Sequence, residues 1–323
     1  MPFDYFDPSQ LKLKPLEERV HDVSIDDLIN LDDDIPPFNN KSIKPLAMCI
    51  LEARKKGAPV ILMYGAHVIR SGCGLHMIEM MKRGQITHLA TNGAGSIHDF
   101  ELSLIGKTCE SVARYIIEGQ FGLWNETGKI NDIINDGCKD KLGWGEALGR
   151  YIWENKLPNR EKSVLAMAYN LKIPITVHVG IGSDIIHEHP NFDGASAGMA
   201  SYKDFLIFTH SVSKLENGVF LNFGSAVTGP EVYLKALSMV RNVAGQKGEQ
   251  IKNFTTAVFD IQPIDEHDAA CAPQKNDYRY YFRPWKTILT RTVADGGKSY
   301  YVQGEHNVTL PYLARQVWSL ENL

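Results

Sequence analysis

Apolar runs alternate with helix-length amphipathic segments from about residue 45 onward. The segment "APVILMYG" is typical of a buried strand, "GLHMIEMMKRG" of a helix, and "ITHLATNGAG" of a second strand that ends in small residues. Further helical stretches continue through residue 171. Alternation of short apolar strands with amphipathic helices predicts a parallel sheet that is covered on both faces.

The same alternation resumes in the second half of the chain. The segments "IPITVHVGIGSD", "DFLIFTH", "GVFLNFGSAVTG" and "TTAVFDIQP" are strand-like, and "PEVYLKALSMVRNVAG" is typical of a helix. The last segment predicts a strand, a loop and a terminal helix that begins near Pro311, because proline is tolerated in a first turn. We therefore expect an α/β fold with at least six parallel strands, doubly wound and Rossmann-like, in a single domain.

The first 40 residues differ from the rest in composition. They are rich in proline and aspartate, as in "SIDDLINLDDDIPPFNN", where a short apolar-spaced helix gives way to an acidic turn. We expect residues 1–40 to form an arm that lies on the body of the protein or on a partner subunit. Residues 41–323 contain no Gly/Ser-rich linker and no internal repeat, which indicates one α/β domain.

Charge and composition argue against several classes of protein. Lys and Arg number 34 against 38 Asp and Glu, a formal charge of −4, and no basic stripe indicates a nucleic-acid partner. The five cysteines include no C-x-x-C pair, which favours a reducing compartment over a disulfide framework. No apolar run has the roughly 20 residues of a membrane helix, and the N-terminus does not resemble a signal peptide. We expect a cytoplasmic protein without membrane or nucleic-acid partners.

Small residues follow the predicted strands at several places. In "ATNGAGSIHDF", Gly93 and Gly95 let the backbone approach a bulky anion closely, and a following helix N-terminus offers free N–H donors. Ligands of open parallel sheets bind beyond the carboxyl ends of the strands. Five predicted strand-end loops carry glycine, histidine or acidic residues, which favours a nucleotide or polar-ligand site over plain strand-to-loop turns.

Other candidate sites each have a plainer interpretation. His178, Asp184 and His187 are ligand types that suit zinc or manganese, but a polar surface loop explains them as well. No serine lies in a G-x-S-x-G elbow, and "GSAVTG" lacks the Gly-Lys-Ser/Thr of a phosphate-binding loop. Lys286, beside Trp285, is an amine that partial burial would prepare for Schiff-base chemistry, and the alternative is an ordinary lysine at a strand edge.

Taken in order, the loops resemble those of the deoxyhypusine synthase family from about residue 45 to the C-terminus. "GAHVIRSG" is similar to the family's Asn-Leu-Ile-Ser-Ser-Gly segment, and "ATNGAGSIHD" to its Thr-Thr-Ala-Gly-Gly-Val-Glu-Glu-Asp turn. "IDEHDAACAP" resembles its Asp-Gly-Ser-Asp-Ser-Gly-Ala-Arg-Pro loop, and "QGEHNVTLPYLARQVW" its closing run Ala-Asp-Ala-Ser-Leu-Val-Phe-Pro-Leu-Leu.

The resemblance implies an NAD-dependent transferase that takes an aminobutyl group from a polyamine and holds it as a lysine imine. Lys286, in "PWK", stands where the family's lysine would. Asp265 and Asp268 fall on two acidic positions used in the family for the cofactor and the polyamine. The resemblance also implies a homo-oligomer, a tetramer built from dimers, with NAD crevices at the subunit contacts.

Small residues at strand ends and the resemblance together predict a set of site residues. NAD would be held by His67, Ser71, Asn92, Gly93, Ala94, Gly95, Ser96, Gly224, Ser225, Asp265 and Glu305. A carboxylate, from Asp265 or Glu305, would accept hydrogen bonds from ribose hydroxyls. Lys286 would be the catalytic nucleophile near the glycine turn of the same or an adjacent subunit. Asp184, Asp268 and Trp285 would surround a polyamine or other amine substrate.

The chain departs from the family pattern in three places. "FGSAVTGPE" has no histidine where the family's Gly-Gly-Gly-Val-Val-Lys-His-His turn contacts the polyamine. Ile97 and His98 stand where the family has two glutamates, and Asp277 is the nearest counterpart of a further glutamate. These departures keep a second class open, a relative without transferase chemistry. It would be a metal-assisted hydrolase that uses the histidine cluster, or a nucleotide- or small-amine-binding protein.

Overall fold

A six-stranded parallel sheet forms the centre of the protein. The computed structural model describes residues 3–264, 269 and 271–321. In chain order the strands are β1 (Val60–Tyr64), β2 (His88–Asn92), β3 (Ile175–His178), β4 (Val219–Phe223), β5 (Thr255–Asp260) and β6 (Lys298–Gln303). They lie in the order β3-β2-β1-β4-β5-β6, and all neighbouring pairs are parallel. This is the strand order of doubly wound dinucleotide-binding folds, so the expected Rossmann-like α/β fold is confirmed.

Helices cover both faces of the sheet. They are α1 (Ile43–Lys55), α2 (Ala66–Arg70), α3 (Gly74–Lys82), α4 (Gly93–Ile105), α5 (Val112–Ile117), α6 (Asn125–Lys139), α7 (Trp144–Glu154), α8 (Val164–Asn170), α9 (Gly194–Val212), α10 (Thr228–Gln246), the π-helix Pro284–Arg291 and α11 (His306–Glu321). One apolar core contains residues of α1, α3, α4, α6, α7, α8 and α11. The core on the other face contains α10, the C-terminal half of α9 and the π-helix. No helix of the described chain has both the length and the apolar character to cross a membrane.

Alternate residues of the central strand point to opposite cores. Val60, Leu62 and Tyr64 belong to the first core, whereas Ile61 and Met63 belong to the second, and all five are buried. Because side chains alternate across a strand, a strand covered on both faces is apolar throughout. This is the physical reason why "APVILMYG" could be recognised as a strand.

Two expectations about individual elements are wrong. "DFLIFTH" lies within α9 and is not a strand. Buried residues of α9 include positions 197, 200, 204, 208 and 212, the spacing of one helix face, which the apolar run conceals. The terminal helix begins at His306, so Pro311 lies inside it and not in its first turn. A proline there removes one backbone hydrogen bond, which the packing of α11 against α1 tolerates.

Residues 3–40 contain little regular structure and lie on the body of the same chain. The short strand Val23–Ser24 pairs antiparallel with Lys107–Thr108, just after α4. Leu16 is buried in a small apolar cluster with Trp124. The segment is therefore attached beside α4, whose N-terminus starts at the carboxyl end of β2.

Candidate functional site

The switch point of the sheet lies between the carboxyl ends of β1 and β4, where folds of this type bind ligands. Gly65 follows β1 and Gly224 follows β4, and a Cβ atom at Gly65 would collide with the carbonyl oxygen of Gly224. Gly224 has a φ of +58°, a left-handed conformation that favours glycine. The ring of His306 packs against it. These glycines therefore serve close contacts within the chain itself.

Several expected cofactor residues surround this point. His67 is exposed in α2, and its ring centroid lies 6.2 Å from that of His306. Glu305 is exposed, whereas Ser225 is buried and its Oγ accepts a hydrogen bond from the Gly229 N–H at 2.8 Å. Burial and the neighbouring His67 lower the pKa of His306 to about 4. Its buried Nδ1 has no partner in the part of the chain that the structure describes.

The glycine turn forms the first turn of α4 and is not a loop. Asn92 caps the helix, because its Oδ1 accepts a hydrogen bond from the Gly95 N–H at 3.0 Å. A Cβ atom on Gly93 would collide with the carboxylate of Asp184, which also accepts a hydrogen bond from the Ala94 N–H. Helix N-termini commonly bind anionic ligands. Here a carboxylate of the chain itself occupies that position.

A cavity of about 240 Å³ opens beside the first turn of α4. Its polar lining consists of Arg19, Arg70, His98, Glu101, Cys109, Glu110, Ser183 and Asp184. Positions 94, 97, 98 and 101 all line it, and this spacing belongs to one face of a helix. The cavity is thus bounded by α4 on one side and by residues of the arm, α2 and two loops on the others.

Carboxyl groups dominate the electrostatics of this region. Burial raises the pKa of Asp184 to about 6 and also raises the pKa of Glu110. Glu110 accepts hydrogen bonds from the Gly122 N–H at 3.0 Å and from Trp124 Nε1 at 2.8 Å. Burial and the charge of Glu110 raise the pKa of Glu188 as well. Burial makes the ionised form of these carboxyl groups costly, and a cation bound beside them would stabilise that form. Arg19 does so in part for Glu110, with its Nη1 3.9 Å from Glu110 Oε1.

Glu101 is the exception, because Arg19 neutralises it. The guanidinium donates to the two carboxylate oxygens at 2.9 and 2.6 Å, and both side chains are 1% exposed. Thr108 and Thr127 donate at 2.7 and 2.6 Å. Burial alone would raise the pKa of Glu101, but Arg19 and the hydroxyls hold it below its ordinary value. Arg70 lines the same cavity and is exposed, without a hydrogen bond or ion pair among the described residues.

Lys286 and Trp285 lie in the π-helix, on the face of the sheet opposite α4. Lys286 is 6% exposed, and its Nζ lies 3.3 Å from the centroid of the Tyr280 ring. Trp285 is buried and donates from Nε1 to the Cys271 carbonyl at 2.9 Å. The π-helix packs on β5, three strand positions or roughly 14 Å from β2. Lys286 is therefore not near the Gly93 turn of its own chain. That it lies near the Gly93 turn of an adjacent subunit stays a prediction.

The remaining predicted residues do not form a single binding site in the described part of the chain. Asp265 and Asp268 lie outside the described residues, so their roles stay predictions. His178 is buried with its Nε2 3.0 Å from a threonine hydroxyl, whereas His187 Nδ1 accepts a hydrogen bond from the Asp184 N–H at 3.0 Å. In the described part of the chain no three His, Cys, Asp or Glu side chains are arranged to hold a metal ion. The metal alternative gains no support from this geometry.

Sequence reasoning missed seven polar residues of the cavity. They are Arg19, Arg70, His98, Glu101, Cys109, Glu110 and Ser183. Of the predicted set, Ala94 and Asp184 line the cavity, Ser71 is half-buried after α2, and Ser96 is buried with its Oγ donating to the Gly93 carbonyl at 2.7 Å. The helical spacing of positions 94, 97, 98 and 101 is a signal that could have located His98 and Glu101. The others come from four distant segments, around residues 19, 70, 110 and 183, whose proximity no local pattern reports.

Fold and cavity together define a doubly wound α/β protein of the Rossmann type with an acid-lined cavity at the carboxyl edge of its sheet. Neither a protein-family model nor a curated protein matches the sequence at a significant level.

Solved structures match the chain through its fold. ArgZ, an arginine dihydrolase from cyanobacteria, aligns at 15% identity and a TM-score of 0.52 over 88% of this chain and 33% of its own. AgrE, in a ternary complex with ornithine and NAD+, aligns at 14% identity and a TM-score of 0.51, over 87% of this chain and 33% of the AgrE chain. A candidate LOR/SDH protein from Methanococcus maripaludis aligns at 17% identity and a TM-score of 0.52, over 90% of this chain and 73% of its own.

A candidate deoxyhypusine synthase from Entamoeba histolytica also aligns, at 10% identity and a TM-score of 0.44 over 93% of this chain and 97% of its own. The chain spans about a third of the length of ArgZ and AgrE. At these identities the likeness establishes the fold alone, and membership of the deoxyhypusine synthase family is not established.

Proposed function

We propose that the chain is an enzyme that uses NAD and acts on a small molecule bearing an amino group. Doubly wound sheets with this strand order bind dinucleotides at the switch point, which supports the cofactor. The structural neighbour AgrE was captured with ornithine and NAD+. The resemblance of the strand-end loops to those of deoxyhypusine synthases implies the same cofactor and an amine substrate.

The observation that carries the proposal is the cavity lined by Asp184 and Glu110. Burial raises the pKa of both carboxyl groups, so a bound ammonium group would offset the cost of keeping them ionised. Arg70 lines the same cavity and would pair with a carboxylate. The volume of about 240 Å³ corresponds to roughly eight water molecules. It therefore suits a small amine or amino acid and is too small for a dinucleotide.

The exposed residues around the switch point, and not the N-terminus of α4 that Asp184 occupies, would hold NAD. Asn92, at the end of the second strand, caps α4, so the acidic group for the ribose hydroxyls would come from the exposed Glu305 or from Asp265. The exposed His67 would offer a further polar contact. When bound, NAD supplies a hydride acceptor for the carbon that bears the amine.

Calorimetry tests the two halves of the proposal separately. Glu305→Gln should weaken NAD binding, and Asp184→Asn should weaken amine binding by roughly tenfold or more without changing NAD affinity, because a hydrogen bond to a charged group is lost. Asp136→Asn, an exposed acid on α6 outside the cavity, is the matched control for both. Absence of heat with millimolar NAD, or equal amine affinity in Asp184→Asn and wild type, contradicts the proposal.

A second candidate, the aminoalkyl transfer implied by the resemblance, is favoured by the burial of Lys286. Its amine lies over the Tyr280 ring without a carboxylate partner among the described residues, so an ion pair does not hold its nitrogen away from an imine carbon. An adjacent subunit would have to bring the cofactor turn to it. Borohydride trapping with NAD and spermidine should add an aminoalkyl mass to wild type and to the exposed control Lys235→Arg, but not to Lys286→Arg. A wild type without the adduct removes this candidate.

A further inference from the structure

A continuous chain of hydrogen bonds runs from the N-terminal segment to the cavity wall. Arg19 donates to Glu101 at 2.9 and 2.6 Å, and Thr108 Oγ1 donates to Glu101 Oε2 at 2.7 Å. His98 Nδ1 lies 2.8 Å from Thr108 Oγ1. Arg19, Glu101 and Thr108 are buried, whereas His98 is partly exposed at the cavity wall.

The direction of these bonds fixes the tautomer of His98. Glu101, held ionised by Arg19, can only accept hydrogen bonds, so the Thr108 hydroxyl must donate its single proton to the carboxylate. The same hydroxyl oxygen then accepts from His98, and Nδ1 must carry the ring proton. The hydrogen-bond network therefore assigns Nε2 as the unprotonated nitrogen.

The unprotonated Nε2 is left for a ligand. It has no hydrogen-bond partner among the residues that the structure describes, and the ring lines the cavity. Burial lowers the pKa of His98 to about 4. Its charged neighbours are Glu101, which opposes this shift, and Arg70, Arg19 and His67, which add to it. The imidazole therefore stays neutral, and Nε2 stays an acceptor, at physiological pH.

Backbone strain occurs directly after Thr108. Cys109 has a φ of +64°, a conformation that is rare for a residue with a side chain. The other described non-glycine residues with positive φ are Lys141, Lys156 and Lys172, which follow helix ends, and Asn217 in a turn. Cys109 instead follows a short strand, and its Sγ lies 3.7 Å from His98 Nδ1. Such outliers persist where the surrounding structure over-determines them.

We propose that Nε2 of His98 is a fixed hydrogen-bond acceptor that recognises the ammonium group of a small amine or amino acid in the cavity. The ligand rests on the proposed function, whereas the tautomer rests only on bonds within this chain. A neutral, oriented acceptor favours an N–H donor and rejects a carbonyl or carboxylate oxygen, because two acceptors repel each other. His98 is thus a specificity-determining residue, and Thr108 and Arg19 are positioning residues.

Nitrogen-15 NMR of the ligand-free full chain, labelled at histidine, tests the tautomer. We expect His98 to have a protonated Nδ1 and a bare Nε2, with its signals identified by their loss in His98→Phe. Thr108→Val should abolish the preference for this tautomer, whereas Thr108→Ser, which keeps the hydroxyl, should restore it. A wild-type His98 with the proton on Nε2 overturns the inference, whatever the binding experiments give.

Calorimetry with putrescine, spermidine and ornithine tests the ligand. Affinity should fall roughly 10- to 100-fold in His98→Phe, should fall in Thr108→Val, and should stay close to wild type in Thr108→Ser. His210→Phe, an exposed histidine on α9, is the control. Equal affinity in His98→Phe and wild type overturns the inference. Absence of amine binding by wild type, with the tautomer as expected, overturns the proposed function and the ligand assigned to Nε2.

Discussion

Arg19 and Glu101 make the N-terminal segment a structural part of the cavity. Both side chains are 1% exposed, so removing one of them leaves the other as a buried, unpaired charge. Breaking a buried ion pair in this way typically costs about 3–5 kcal/mol. We therefore expect Arg19→Met to lower the free energy of unfolding by about 3 kcal/mol or more, measured by urea denaturation at neutral pH.

The double variant Arg19→Met, Glu101→Leu is the matched control for this prediction. It removes both charges and replaces them with apolar side chains, which is often close to neutral for stability. It should recover part of the loss, although Thr108 and Thr127 lose their acceptor. A double variant less stable than the single one would contradict the ion-pair account.

Asp184 should make amine binding depend on pH. Burial raises its pKa to about 6, so the carboxylate loses its charge as the pH falls through that value. Amine affinity of wild type should therefore decline between pH 7 and pH 5, with further contributions from Glu110 and Glu188, whose pKa values are also raised. Asp184→Asn should show a smaller decline in calorimetry across this range. A decline of equal size would assign the effect to other groups.

Among the elements, Asp204 of α9 joins α7 to β3. Its carboxylate accepts hydrogen bonds from the Gly145 N–H at 3.0 Å and the Val177 N–H at 2.7 Å, and burial raises its pKa from 3.8 to about 7. The folded state thus binds this proton more tightly than the unfolded state. The stability contributed by Asp204 is fully present below its unfolded pKa and is lost as the pH rises through about 7.

Asp204→Asn should therefore flatten the fall in stability between pH 4 and pH 7, since the amide keeps an acceptor oxygen without titrating. Asp204→Ala should instead destabilise the protein by about 2–6 kcal/mol, because two buried N–H groups lose their acceptor. Urea denaturation at several pH values measures both effects. Identical pH profiles for wild type and Asp204→Asn would rule out this role for Asp204.

For the whole molecule, the homo-oligomer implied by the resemblance stays a prediction. Large apolar side chains are exposed along α9 and α10, at Met199, Tyr202, Leu206, Met239 and Val243. Burial of exposed apolar surface drives association. We expect sedimentation velocity at micromolar concentration to give an oligomer, a tetramer by resemblance. Leu206→Glu combined with Val243→Glu should shift it to smaller species, and Ile117→Glu on α5 is the control. A monomeric wild type contradicts the expectation.

The amino-acid sequence by itself determined the class of fold. Five of the six strands are buried along almost their whole length because both faces of the sheet are covered. The helices between them have a different hydrophobic period, so local patterns suffice to separate strands from helices. The prediction of a strand at "DFLIFTH" was wrong because α9 contributes to both cores and is apolar on more than one side. At Gly93 and Gly224 the sequence predicted the approach of a cofactor, which stays a prediction.

Only the tertiary structure decided what approaches those glycines and which residues form the cavity. The groups against Gly93 and Gly224 are the chain's own Asp184 and His306. The cavity residues lie at positions 19, 70, 98, 110 and 184, in segments that meet only because β3, β2 and β1 are neighbours in the sheet. Local periodicity reports whether a side chain is buried. Local periodicity carries no information on which distant side chain a buried residue contacts, because that contact depends on strand order and helix packing.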